Sequence, residues 1–198
     1  MTFEEFYGPA LGRLQAAEQQ LTDCVARFPD DREGTDLHAV LYCKSRIKSP
    51  DSMIRKLELH GLPTDCDTAL AEMHDTVGVR VICSFVDDVY RVAGWLSKQP
   101  ELHVTTTKDY IAYPKPNGYR SLHLILEIAD GPGKGLSAEI QLRTIAIDFW
   151  ASLEHQIKYK HTVSHEALVR SELKRCADEI ASVDLSMQTI RELLAQSF

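Results

Sequence analysis

The chain has 198 residues, 44% of them hydrophobic, and its 29 acidic against 22 basic side chains give a formal net charge of −7. That length suits one well-buried domain, residues 1–198, rather than two, and no apolar run approaches the roughly 18 residues that a membrane helix needs. Five cysteines without a C-x-x-C pair offer neither a disulfide framework nor a thiolate zinc site, and Met1-Thr2-Phe3-Glu4-Glu5 has no basic leader, so a cytoplasmic protein with reduced thiols is expected.

Tyr7, Leu11, Leu14, Leu21, Val25 and Phe28 recur at helical spacing, which predicts an amphipathic opening helix broken by Pro29-Asp30-Asp31. A second helix is predicted over residues 37–43. Ser49-Pro50 reads as a cap followed by proline at the first helical position, starting a helix that runs to about His60. Val77, Val79, Val81 and Ile82 predict a buried strand over 77–84, and 87–99 reads as a helix with Val89, Val92, Ala93 and Leu96 inward. Strands follow over 102–108, 120–128 and 136–143, then a helix from Ile145 to about Tyr159 whose Phe149 and Trp150 are expected in the core. The order β, α, β, β, β, α argues for an α+β fold, a mixed sheet flanked by helices, rather than a doubly wound sheet. In the tail, Leu173, Cys176, Ile180, Val183, Met187, Ile190 and Leu194 form an apolar seam. It packs either on the opening helix or on another subunit.

The segment from Asp109 to His123 is a stiffened basic loop. Pro114 and Pro116 restrict it, Asn117-Gly118 supplies a turn, and Tyr119 is expected as an exposed ring on which a base could stack. Lys115, Arg120 and His123 would flank that base. Upstream, Arg46 and Lys48 precede a helix whose free N–H groups favour phosphate, with Lys56 in reach of the same anion. Residues 44–56 and 108–120 hold eight Lys or Arg against two acids, +6 locally, leaving −13 on the rest. An acidic body with a focused basic cleft suits selective capture of polyphosphates, whereas a general nucleic-acid binder is more often basic throughout. Asp75, entering the first strand, and Glu139, within the last, make a reasonable Mg²⁺ site beside such an anion.

Four ordered motifs carry a family resemblance: Lys44-Ser45-Arg46-Ile47-Lys48-Ser49-Pro50, then Asp75-Thr76-Val77-Gly78-Val79-Arg80, the loop just described, and Glu139-Ile140-Gln141-Leu142-Arg143-Thr144 running on to Asp148 and His155. Spanning about 44–160, they resemble the RelA/SpoT-type alarmone synthetase domain, in its small stand-alone form. The resemblance implies a nucleotidyltransferase-like core at 44–160, between N-terminal helices at 1–43 and a C-terminal helix at 161–198. It implies transfer of pyrophosphate from ATP to the 3′-hydroxyl of GDP or GTP, with GMP a further acceptor to test. On the ATP side it places Arg46 and Arg80 on the adenine and Lys48 and Lys56 on the phosphates. Asp75 is implied as a Mg²⁺ ligand, with Glu139 either a second ligand or the base for the 3′-hydroxyl. Tyr119 is implied to stack on guanine, supported by Lys115, Asn117, His123 and Gln141. Small members of the family are commonly homotetramers, so a homo-oligomer is expected.

Two rival readings stand beside this one. Pyrophosphate transfer to adenine nucleotides or to the 3′ end of tRNA uses similar donor chemistry, and a non-catalytic module could bind (p)ppGpp or single-stranded RNA. His74-Asp75 is a literal HD pair, but it abuts the strand at 77–84 and no further His/Asp set precedes it, so no alarmone hydrolase activity is expected.

Overall fold

The computed structural model describes residues 1–30, 37–160 and 166–195. Helices α1 (Phe3–Tyr7) and α2 (Leu11–Ala26) are separated by a 3₁₀ turn at Gly8–Ala10, so the opening helix is broken where Gly8 adopts φ 47° and Pro9 follows. Next come strand β1 (Val40–Ile47), α3 (Pro50–Leu59), α4 (Cys66–Glu72), β2 (Val77–Cys83), α5 (Val86–Leu96), β3 (Leu102–Asp109), β4 (Leu122–Ile128), β5 (Ser137–Thr144), α6 (Ile145–Lys160) and α7 (Glu166–Ala195). The fold is α+β, with one five-stranded mixed sheet in the order β1-β2-β5-β4-β3. Only β2 and β5 run parallel; the other pairs are antiparallel.

The expected helix over 37–43 is instead the start of β1. Its apolar run Val40-Leu41-Tyr42-Cys43 is held extended by antiparallel pairing, Cys43 opposite Val81 and Lys44 opposite Arg80. The helical N-terminal segment therefore stops short of residue 43. Helix α3 begins at Pro50 as expected, although the Ser49 hydroxyl bonds that of Ser52 and caps no backbone N–H.

Strand alternation divides the sheet into a core face and a site face. On β2, Val77, Val79 and Val81 are buried, and on β5 Ala138, Ile140 and Leu142 are; they join Leu14, Leu21 and Val25 of α2 and Val89, Val92 and Leu96 of α5 in the main core. Gly78, Arg80, Glu139 and Gln141 necessarily point the other way. Register then lines up two rows across the site face: Arg46 opposite Gly78 opposite Glu139, and Lys44 opposite Arg80 opposite Gln141 opposite His123.

Helix α7 splits the expected seam. Leu173, Cys176 and Ile180 pack with Trp150, Ala151 and Ala177 against Tyr119, whereas Val183, Met187, Ile190 and Leu194 are each at least half exposed. The packed half rests on α6 and on Tyr119 of the loop before β4, not on the opening helix. Phe149 also departs from expectation. It is 58% exposed while its neighbour Trp150 is buried, because adjacent helical positions diverge by about 100°.

Asp184 of α7 is buried and accepts a hydrogen bond from the Thr144 hydroxyl at 2.5 Å. Burial raises its carboxyl above the usual range, outweighing that bond. An acid with a raised folded value loses stability as pH climbs from its unfolded value, about 4, through the folded one, and stays penalised above. Asp184→Asn keeps an acceptor for Thr144 and removes the charge. Its melting temperature should exceed the parent's at pH 7, with the gap closing near pH 4; a lower melting point at pH 7 would refute this.

Candidate active site

The site face encloses a cavity of about 240 Å³ lined by Lys44, Ser45, Arg46, Asp75, Gly78, Val79, Arg80, Glu139 and Gln141. Five expected site residues thus meet directly: Arg46, Asp75, Arg80, Glu139 and Gln141. Gly78 sits between Arg46 and Glu139 in register, and the absence of a side chain there leaves the floor open.

Lys48 and Lys56 reach the cavity through Asp75, holding its two oxygens at 2.6 and 2.7 Å. Burial alone would raise the Asp75 carboxyl, but the hydrogen bonds and charges of both lysines outweigh it and hold the group below the usual carboxylate range. Lys48 itself is fixed by local backbone. Its N–H donates to Thr76 O, and its carbonyl accepts from the Tyr7 hydroxyl at 2.7 Å, which ties the first helix to this corner.

Glu139 is bound on both oxygens. Gln141 Nε2 donates to Oε2 at 2.7 Å, and His123 Nδ1 lies 2.9 Å from Oε1. Burial pushes the Glu139 carboxyl up and nearby Asp75 adds to this, yet His123 and Gln141 prevail and hold it below its ordinary value. With Glu139 ionised, His123 Nδ1 donates to it, and a neutral ring then accepts at Nε2 from the Tyr119 hydroxyl, 2.9 Å away. Arg143 Nη2 donates both to Tyr119 Oη and to Gln141 Oε1, each at 2.9 Å. The result is a closed ring of five hydrogen bonds. Donors run from Arg143 in both directions and converge on Glu139, which only accepts.

Arg143 is the site residue that sequence reasoning underused. It is 4% exposed, and it also donates from Nε to Ser121 Oγ and from Nη1 to Asp148 Oδ1, at 3.4 and 2.9 Å. Asp148 in turn lies 3.3 Å from Arg80, so one guanidinium links the cavity arginine, Glu139 and Tyr119. Removing one partner from a buried ion pair typically costs about 3–5 kcal/mol. The one signal in the sequence was its position, two residues beyond Gln141 on the same strand face.

Tyr119 is not the freely exposed ring expected. It is half-buried, edge-on to Tyr110 and His123, with the Lys115 ammonium 5.1 Å and the Arg143 guanidinium 5.4 Å from its ring centre. A base stacking there must displace Lys115, whose ammonium also sits 4.7 Å from the Tyr110 ring. Asn117 braces the loop, donating to Glu154 Oε1 and accepting from Tyr119 N. Arg120 does not flank this surface. Its guanidinium turns to α7 and meets Asp178 at 3.1 Å, where it also donates to the Ala177 carbonyl.

A cation-lined cavity with two facing carboxylates, on a mixed sheet, defines a polyphosphate-handling α+β core. The chain belongs to the RelA/SpoT family: residues 45–164 match the region found in RelA / SpoT proteins. It is 43% identical over 154 residues to the GTP pyrophosphokinase YwaC of Bacillus subtilis strain 168, covering 76% of this chain and 73% of that protein. The fold matches the small alarmone synthetase 2 of B. subtilis with TM-score 0.79 and 38% identity, over 93% of this chain and 98% of that one. It also matches the small alarmone synthetase 1 of B. subtilis bound to its product pppGpp, with TM-score 0.80 and 30% identity, over 93% and 96% of the two chains. Among the described residues no helix is long and apolar enough to cross a membrane.

Proposed function

We propose that this chain is a (p)ppGpp synthetase, a GTP diphosphokinase that joins the pyrophosphate of ATP to the 3′-hydroxyl of GDP or GTP. The acceptor 3′-oxygen attacks the β-phosphorus, the bond from that phosphorus to the α,β-bridging oxygen breaks, and AMP leaves with the electron pair. The observation that carries this reading is the convergence of Asp75 and Glu139 on one cavity whose cationic walls are Lys44, Arg46 and Arg80. Its relatives are named for the same reaction class.

Glu139 takes the proton of the 3′-hydroxyl. It is ionised, and His123 and Gln141 orient it through one hydrogen bond to each oxygen. Arg46 and Arg80 hold the donor base, and Lys48 and Lys56 turn from Asp75 to the donor phosphates. Mg²⁺ is the ion that suits Asp75, since it binds few protein oxygens and shares the rest of its shell with water and phosphates. When bound it offsets charge on the transferred group. Little covalent work falls to the protein beyond alignment of acceptor oxygen, β-phosphorus and departing AMP.

Tyr119 stacks on guanine, with Lys115, Asn117, His123 and Gln141 around it. Tyr119→Ala should therefore raise the KM for GDP about tenfold or more, since a base–aromatic stack contributes roughly 1–3 kcal/mol. An unchanged KM for GDP would move the acceptor elsewhere.

The chain acts in the cytoplasm as a homo-oligomer, a tetramer by analogy with small members of the family. Support for self-association is the apolar surface left open on the last helices. Ile145, Phe149, Leu153 and Ile157 form a row on α6 at helical spacing, each at least 40% exposed, and Val183, Met187 and Ile190 of α7 are also at least half exposed. The reaction is tested by separating the products of γ-labelled ATP supplied with GMP, GDP, GTP, ADP and tRNA in turn. Label appearing in ppGpp or pppGpp supports the reading; label in an adenine nucleotide or in tRNA replaces it.

A further inference from the structure

Helix α7 runs across the back of the proposed acceptor loop, fixed at points that owe nothing to that loop. Trp150 Nε1 donates to Leu173 O at 2.9 Å, Thr144 bonds Asp184, and Arg191 grips Asp87 at the start of α5 with contacts of 3.0 and 2.7 Å. Against this braced helix lies the turn Asn117–Arg120. A Cβ placed on Gly118, whose φ is +89°, would come within 2.6 Å of Ala177 Cβ and 3.2 Å of Lys174 Cα, so backbone touches backbone there. Arg120 then fastens the turn, donating to the carbonyls of Gly118 and Ala177 and pairing with Asp178. The Tyr119 ring between them packs on the same small cluster as Trp150 and Ala177.

We infer that α7 is part of the acceptor site's machinery, with Ala177 and Asp178 as positioning residues that set where Tyr119 stands. The inference rests on Tyr119 being the guanine platform. Neither residue lines the cavity, and α7 reaches the donor arginine Arg80 only at several removes, through Tyr119, Arg143 and Asp148. Displacing the helix surface by a side chain's width should thus move the acceptor platform and spare the ATP end. Arg120, which looks in the sequence like a phosphate cation, is assigned instead to holding the loop down. An exposed ion pair alone contributes little, but here the same guanidinium also satisfies two carbonyls, and the close backbone contact leaves the turn no slack.

The test uses the full chain and two separate affinities, for GDP and for a non-hydrolysable ATP analogue, measured by titration. Ala177→Leu wedges the turn off the helix, and Asp178→Arg repels Arg120 from a half-exposed position that tolerates the change; Tyr119→Ala serves as reference. Each of the two α7 variants should weaken GDP binding about tenfold or more, the range expected for loss of a base stack, with the ATP analogue bound as in the parent. The charge swap Arg120→Asp with Asp178→Arg should recover part of the GDP affinity. Equal weakening of both nucleotides would overturn the inference, because it would mean that α7 merely supports the whole fold. Unchanged GDP binding in Asp178→Arg, with Tyr119→Ala still impaired, would also overturn it while leaving the acceptor assignment intact. If Tyr119→Ala itself binds GDP normally, the acceptor assignment fails first and the inference with it. Should Ala177→Leu not fold, Asp178→Arg and its swap decide.

Discussion

Glu139→Gln should lower turnover by about 10²–10⁴-fold at saturating ATP and GDP, the range over which a positioned general base contributes. Both nucleotides should still bind, because the side chain keeps its size and the cavity its cations. The variant should also melt a few degrees lower, for a reason peculiar to this ring of hydrogen bonds. Arg143 Nη2 donates along both arms, through Tyr119 and His123 on one side and through Gln141 on the other, and both arms end as donors at position 139. A carboxylate accepts twice. An amide offers one acceptor and one donor, so one contact becomes donor against donor, or His123 moves its proton to Nε2 and the Tyr119 hydroxyl proton loses its acceptor. Turning Gln141 to repair it only moves the mismatch to Arg143. A buried group left unsatisfied costs about 1–3 kcal/mol, and each kcal/mol lowers the melting point of a chain this size by about 2–4 °C. The measurement is initial-rate product formation alongside thermal melts and nucleotide titration. Turnover near the parent's would remove Glu139 as the base.

The same ring marks the boundary of what the sequence made legible. Strands β2, β4 and β5 and helix α5 are readable because β-branched and apolar residues fall at periods of two or 3.6 and are bounded by turn residues. Alternation on β5 alone places Glu139 and Gln141 opposite Ala138, Ile140 and Leu142. Strand β1 is not readable in this way. It is an edge strand with most side chains exposed, so burial imposes no alternation on it, and its identity comes from pairing with β2. Helix α4, seven residues long, carries too short a pattern to stand out, although Asp65, whose carboxylate accepts from Thr68 N, was a cap signal in plain view. The candidate cations and carboxylates were legible as residue types with motif spacing. Their partners were not. That Lys48 and Lys56 rest on Asp75, that Arg120 faces a helix more than 50 residues away in sequence, and that Arg143 is a buried hub all depend on packing between distant elements.

Asp75→Asn should give the second large effect, and its two readouts should move in opposite directions. Asp75 pairs with two lysines, Lys48 at 2.6 Å and Lys56 at 2.7 Å, and those charge-assisted bonds are roughly twice as strong as neutral ones. Any polyphosphate that recruits the lysines must first separate them from this carboxylate. An asparagine holds them weakly, so without divalent ion the variant should bind a non-hydrolysable ATP analogue more tightly than the parent, on the order of tenfold, or about 1.4 kcal/mol. Turnover in the presence of Mg²⁺ should nevertheless fall by roughly 10²-fold or more, because the carboxylate proposed to hold the ion is gone and charge on the transferred group is no longer offset. Titration with and without Mg²⁺ separates the two effects. In the parent, Mg²⁺ should strengthen analogue binding by occupying Asp75 and releasing the lysines; in Asp75→Asn that gain should largely vanish. If the variant binds the analogue more weakly than the parent in chelator, the lysine pair is not held in reserve by Asp75. If Mg²⁺ strengthens binding equally in both proteins, the ion is held elsewhere and Asp75 serves only to orient Lys48 and Lys56.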